Sequence, residues 1–123
     1  MANILVIDDD PAMRRMIDRI LTGAGHQVTE AVNGVDGMKK FRAAAPEIVV
    51  TDIVMPGGMN GVELVQWARA LRPELKVIYS SGFPADVLAE RSMALVDGPL
   101  LHKPYLRTQF AAIVESVMEA VQA

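Results

Sequence analysis

Cysteine is missing from this 123-residue chain. That one absence excludes disulfides, thiolate zinc sites and cysteine nucleophiles together. Long apolar runs are missing too. No stretch approaches the roughly 18 residues that a membrane-spanning helix needs. Met1 to Asp10 turns acidic where a secretory leader would be basic and then apolar, so a cytoplasmic, membrane-free protein is expected. An excess of basic residues is also lacking. The formal net charge is -3 and the sequence pI is near 5.3. Direct binding to nucleic acid is therefore not expected, since phosphate contacts need a basic patch. No linker, repeat or low-complexity segment divides the chain, so residues 1–123 read as one domain. Hydrophobic residues make up 51% and charged residues 22%, a balance able to bury a core.

What is present is an alternation of short apolar runs with helical patterns, the mark of an α/β domain with a parallel sheet. Ile4 to Ile7 is a continuous apolar run, as expected of a strand buried on both faces. Asp10 can cap the following helix and Pro11 suits its first turn. Met13, Met16, Ile17, Ile20 and Leu21 recur at helical spacing before Gly23 and Gly25. Val28 to Ala31 is a second strand. Asn33 can cap a helix carrying Val35, Met38 and Phe41, which ends before Pro46. Ile48 to Thr51 is a third strand that delivers Asp52. A loop from Met55 to Gly61 leads to a stripe of Val62, Leu64, Val65, Ala68 and Leu71, with Pro73 at the exit. Val77 to Ser80 is a fourth strand, Ala85 to Ala94 a helix, and Pro99 to His102 a short fifth strand. Leu106, Phe110, Ile113, Val114, Val117 and Val121 mark the last amphipathic helix. Right-handed crossovers turn five strands and five helices into a doubly wound sheet.

Ligands of such sheets bind beyond the carboxyl ends of the strands. Asp8-Asp9-Asp10 follows the first strand, Asp52 the third, Ser80-Ser81-Gly82 the fourth and His102-Lys103-Pro104 the fifth. The opposite edge carries ordinary loop residues such as Glu47, Glu74 and Lys76. Clustered carboxylates repel unless a cation joins them. Magnesium prefers hard oxygen ligands and needs only one or two carboxylates, completed by water and phosphate. Lys103 can neutralise a phosphoryl oxygen and Ser81 can donate to another. Phosphoryl transfer needs mainly positioning and charge compensation, and this set offers both.

Ile7-Asp8-Asp9-Asp10, Thr51-Asp52-Ile53-Val54-Met55-Pro56, Ser81-Gly82 and Lys103-Pro104-Tyr105 together resemble the four signatures of CheY-like receiver domains of two-component response regulators. The resemblance runs the whole length of the chain. It implies a flavodoxin-like strand order 2-1-3-4-5. It also implies a phosphorelay switch rather than an enzyme acting on a substrate. Asp52 corresponds to the residue phosphorylated by a histidine kinase. Asp8, Asp9, Asp52 and the backbone carbonyl of Val54 correspond to the Mg²⁺ site, with Asp9 the direct ligand and Asp8 acting partly through water. Ser81 and Lys103 correspond to the groups that bind the phosphoryl oxygens. The Lys103-Pro104 bond corresponds to one that is cis in the family. The implied partners are a sensor histidine kinase or phosphotransfer protein and a downstream target protein. A weak or phosphorylation-dependent dimer is compatible with the resemblance. The target would read a surface of the fourth helix, fifth strand and fifth helix, around Leu88, Arg91, Leu100, Tyr105 and Arg107.

Some positions depart from the family pattern. Leu100 stands where receivers usually carry an aromatic residue that swings inward. The loop from Met55 to Gly61 is one residue longer than usual. With Ser80-Ser81-Gly82-Phe83-Pro84 it looks more like receivers of hybrid sensor kinases. Val54 and Phe83 are apolar where polar groups would position an attacking water, so slow self-dephosphorylation is expected.

Other readings compete. Asp8 and Asp10 formally match the acid pair of a haloacid-dehalogenase-type phosphatase, although that family normally has a longer chain and a cap. A flavodoxin shares the fold, but its phosphate-binding turn would not be acidic. A receiver-like adaptor that is never phosphorylated would need none of the acids. Asp10 reads as a helix cap, His26 and His102 as structural or exposed, the eight methionines as core filler, and Trp67 as a partly exposed packing residue.

Overall fold

The computed structural model describes residues 2–55, 59–82, 99–103 and 105–122. Five parallel strands form one sheet: β1 (Asn3–Ile7), β2 (Gln27–Ala31), β3 (Ile48–Asp52), β4 (Lys76–Ser81) and β5 (Leu100–His102). Their order is β2-β1-β3-β4-β5, as expected. Four helices lie within the described residues: α1 (Pro11–Gly23), α2 (Gly34–Ala44), α3 (Gly61–Leu71) and α4 (Arg107–Gln122). The helix expected over 85–94 lies outside them.

Pleating sorts the core into two halves, because alternate strand residues face opposite sides. Ile4, Val6, Ile48, Val50, Ile78 and Leu101 face α1 and α4, where Ile17, Leu21, Phe110 and Val114 meet them. Leu5, Ile7, Val49, Val77 and Tyr79 face α2 and α3, where Phe41, Leu64, Val65 and Ala68 complete the layer. The central strands carry apolar residues at consecutive positions because both of their faces are covered.

The caps explain where the helices begin. The Asp10 side chain accepts from Ala12 N–H and the Asn33 side chain from Asp36 N–H. Asn60 and Glu63 form a reciprocal capping box at α3. Strand limits differ by a residue or so from the sequence expectation, because backbone pairing rather than side-chain type sets them. Asn3 enters β1 opposite Gln27, and Lys76 enters β4 opposite Ile48. Pro99 lies outside β5, yet its carbonyl accepts Tyr79 N–H.

Three residues assigned to apolar stripes are not buried. Val35, Leu71 and Leu106 are all exposed. Val35 lies in the first turn of α2, Leu71 ends α3, and Leu106 precedes α4, where helices rise past the sheet edge. Trp67 is half-buried, as expected. It meets Phe41 edge-to-face at 5.6 Å and carries Arg42 over its ring at 5.4 Å. Among the described residues, no helix is long and apolar enough to cross a membrane.

Candidate functional site

The phase of the pleat decides which side chains meet at the carboxyl edge. In β1, Ile4 and Val6 face the α1 and α4 side, so Asp8 is the next residue on that face. In β3, Ile48, Val50 and then Asp52 follow the same phase. The register pairs Ile7 with Thr51, and one further step sets Asp8 beside Asp52. Leu101 faces the same side in β5, two residues before Lys103.

The side chains converge accordingly. Lys103 Nζ donates to Asp8 Oδ2 at 2.9 Å and to Asp52 Oδ2 at 3.2 Å. One carboxylate oxygen each from Asp8, Asp9 and Asp52 lie within 4.8 Å of one another. Asp8 and Asp52 are buried and Asp9 is exposed. Three hard oxygen donors at this spacing suit a divalent cation such as Mg²⁺, and the open side at Asp9 leaves room for water.

Electrostatics shows how tense the arrangement is. Burial pushes the Asp52 carboxyl up to about 6. Lys103 opposes that rise, while the charges of Asp8 and Asp9 add to it. For Lys103, burial alone would favour the neutral amine. The hydrogen bond to Asp8 and the charges of Asp52 and Asp8 outweigh it and hold the ammonium above its ordinary value. Asp52 is thus a carboxylate poorly compensated by a single lysine, and an added cation would relieve it.

The surrounding backbone is fixed by specific contacts. Asp8 N–H bonds to Ala31 O, and Asp8 Oδ1 accepts Asp10 N–H at 2.9 Å. Ile53 N–H bonds to Ser80 O, and Gly61 N–H to Ile53 O at 2.7 Å. A Cβ at Gly61 would collide with the Asp52 carbonyl oxygen, so only glycine lets α3 start this close to β3. Ser81 is fully buried at the end of β4, and its carbonyl accepts Lys103 N–H at 2.6 Å. Ser80 is the Cα partner of Asp52 and is buried as well. Val54, two residues past Asp52, is half-buried.

Asp10 stays outside the acid cluster. Its carboxylate is spent on the α1 cap and the residue is exposed. That separates it from Asp8 and weakens the paired-acid phosphatase reading. Tyr105 corrects a second expectation. It was assigned to a partner-facing surface, but it is buried and stacked on Phe110 at 5.8 Å. Among the described residues its hydroxyl has no hydrogen-bond partner. Burial, then the charges of Asp8 and Asp52, push the phenol well above its usual range. Leu100 is half-buried opposite Tyr79, and Arg107 is exposed. Phe83, Leu88 and Arg91 lie outside the described residues, as does Pro104 and with it the expected cis bond. His26 is not idle, since its Nδ1 accepts Ala2 N–H at 3.1 Å.

Sequence reasoning overlooked Arg14, which donates from Nη1 to the Asp8 carbonyl at 2.8 Å. It also overlooked the close approach at Gly61. The run Asn60-Gly61-x-Glu63, a capping box with glycine at the first helical position, was the available signal for Gly61.

Comparison with known proteins adds an independent line. The model of the response regulator receiver domain family matches residues 4–115. The chain is 34% identical over 120 residues to the response regulator receiver protein CpdR of Brucella abortus, covering 98% of this chain and 99% of that one. It is 33% identical over 120 residues to the sensor kinase CckA of the same organism, where the match covers 96% of this chain but only 13% of the kinase. Among solved structures, a CheY-like receiver domain protein from Methanospirillum hungatei superposes with a TM-score of 0.80 at 27% identity, over 99% of this chain and 98% of the other.

Proposed function

Given that the chain belongs to the response regulator receiver domain family, we propose that it is a phosphorylation switch whose acceptor is Asp52. The observation that carries this reading is Lys103 bridging Asp8 and Asp52. These residues stand 95 and 51 positions from it in sequence, yet all three converge at one sheet edge. Family membership supports a signalling role within a two-component system, with a histidine kinase or phosphotransfer protein as donor.

The proposed step is a transfer from a phosphohistidine. A carboxylate oxygen of Asp52 attacks phosphorus, the P–N bond breaks, and the imidazole nitrogen keeps the electron pair. Receiver domains typically use Mg²⁺, and here Asp8, Asp9, Asp52 and the Val54 carbonyl would hold it. When bound, it supplies charge compensation among the carboxylates and the phosphoryl oxygens. Lys103 then exchanges its contact with Asp52 for a phosphoryl oxygen, and the Ser81 hydroxyl donates to another. Ser81 ends β4 and Lys103 directly follows β5, so the exchange pulls on the segments that leave those strands. A two-state surface next to β5 and α4 is thereby biased. Leu100 and Arg107 belong to that surface, while Tyr105 belongs to the core beneath it. Apolar Val54 supports slow hydrolysis of the phosphoryl group.

Mass-spectrometric mapping after incubation with Mg²⁺ and acetyl phosphate tests the reading. Wild type should gain one phosphoryl group on Asp52, and Asp52→Asn should gain none there. Equal labelling of both proteins would sink the assignment. No labelling of wild type would favour an unphosphorylated adaptor.

A further inference from the structure

Asp9 is the weakly held member of the acid cluster. It is exposed, and among the described residues its carboxylate has no hydrogen-bond or ion-pair partner. Its position therefore depends on the backbone that presents it. The Asp8 carbonyl belongs to the planar peptide unit that joins Asp8 to Asp9. Whatever fixes that oxygen also fixes where the Cα of Asp9 departs.

Arg14 fixes it. From the first turns of α1, its Nη1 donates to the Asp8 carbonyl at 2.8 Å. Its Nε pairs at 2.8 Å with Glu30 Oε1 on β2, the two side chains being 14% and 32% exposed. Glu30 is itself held, since its carbonyl accepts Lys40 Nζ from α2 at 2.6 Å. The other peptide group of Asp8 reaches the same strand, through its N–H to the Ala31 carbonyl. Both peptide groups of Asp8 are thus referenced to β2. Pairing with Glu30 also balances the guanidinium charge, which would otherwise repel a cation at the acid cluster.

We propose that Arg14 is a positioning residue that sets the divalent-cation affinity of the acid cluster by fixing the Asp8–Asp9 peptide. The proposal rests on the reading of Asp8, Asp9 and Asp52 as the cation site. Groups that orient metal ligands without touching the metal commonly change affinity by about tenfold or more when removed.

The test is a Mg²⁺ titration of the folded protein followed by backbone amide NMR shifts, with parallel thermal melts in EDTA and in saturating Mg²⁺. Arg14→Met keeps the aliphatic stem and loses the donors. It should bind Mg²⁺ about five- to tenfold more weakly than wild type, and the Mg²⁺-induced rise in Tm should shrink. A purely structural arginine would lower Tm equally in EDTA and in Mg²⁺ and leave the affinity unchanged. Arg14→Lys keeps one donor but cannot serve Asp8 and Glu30 together, so it should fall between. If Arg14→Met does not fold, Arg14→Lys decides alone, with a two- to threefold loss expected. Wild-type affinity in whichever arginine variant folds overturns the proposal. Asp9→Asn and Asp52→Asn test the underlying site separately. If wild type binds no Mg²⁺, or if these two variants bind it as wild type does, the cation site is misplaced and the proposal falls with it.

Discussion

Asp52→Asn should make the unliganded protein more stable, and by a margin that depends on pH. In the native state burial raises the Asp52 carboxyl from its ordinary 3.8 to about 6. Unfolding releases it to the ordinary value. The native state therefore binds its proton more tightly, and ionising it costs stability as pH rises. The cost is absent below pH 3.8, grows between 3.8 and about 6, and is complete above that. At about 1.4 kcal/mol for each unit of pKa, the full cost is about 3 kcal/mol at pH 7.5 and about half that at pH 5. Asparagine is nearly isosteric and carries no charge, so it escapes this cost. Lys103 keeps Asp8 as a partner at 2.9 Å in the variant. Urea denaturation of both proteins in EDTA at pH 5 and pH 7.5 measures the gap. The variant should be more stable at both values, with the gap roughly doubling between them. Adding Mg²⁺ at pH 7.5 should close the gap by stabilising wild type alone, through mass action on the native state. A variant that is less stable than wild type, or a gap that does not change with pH, would refute the electrostatic reasoning.

Three further outcomes follow from individual contacts. Lys103→Met leaves Asp8 and Asp52 buried without their shared cation, which should cost about 3 kcal/mol in chemical denaturation at neutral pH and less at pH 5, where Asp52 takes up a proton. Tyr105→Phe removes a buried hydroxyl with no partner among the described residues, so thermal melts should show a gain of about 1 kcal/mol; a loss of that size would mean the hydroxyl is satisfied in solution. Gly61→Ala drives a methyl group into the Asp52 carbonyl and should cost about 1–3 kcal/mol. It should also perturb the amide resonances of Asp52 and Ile53, and unchanged spectra would count against the close approach.

Much of this was legible in the sequence, for reasons that can be named. Ile4 to Ile7 and Ile48 to Val50 are apolar at consecutive positions, as a strand covered on both faces requires. Placing those strands at once placed Asp8 and Asp52 at one edge, and the short fifth strand brought Lys103 to it. Contacts made over long separations by side chains with no distinctive spacing stayed hidden. Arg14 reads as one more polar residue on a helix, and only the fold brings its guanidinium to the Asp8 carbonyl. Tyr105 follows Lys103 so closely that it was read as surface, whereas its ring turns inward onto Phe110. The exposure of Val35 and Leu106 was missed because helical periodicity identifies a face but not where that face runs past its neighbour.

The shared pleat phase of Asp8, Asp52 and Lys103 has a genetic consequence. Side chains alternate strictly along a strand, so a single codon inserted or deleted within β1 or β3 would turn a carboxylate to the opposite side of the sheet. A lineage of such chains should therefore tolerate many substitutions inside these strands but almost no change in their length. Length drift should collect instead where no strand phase is at stake.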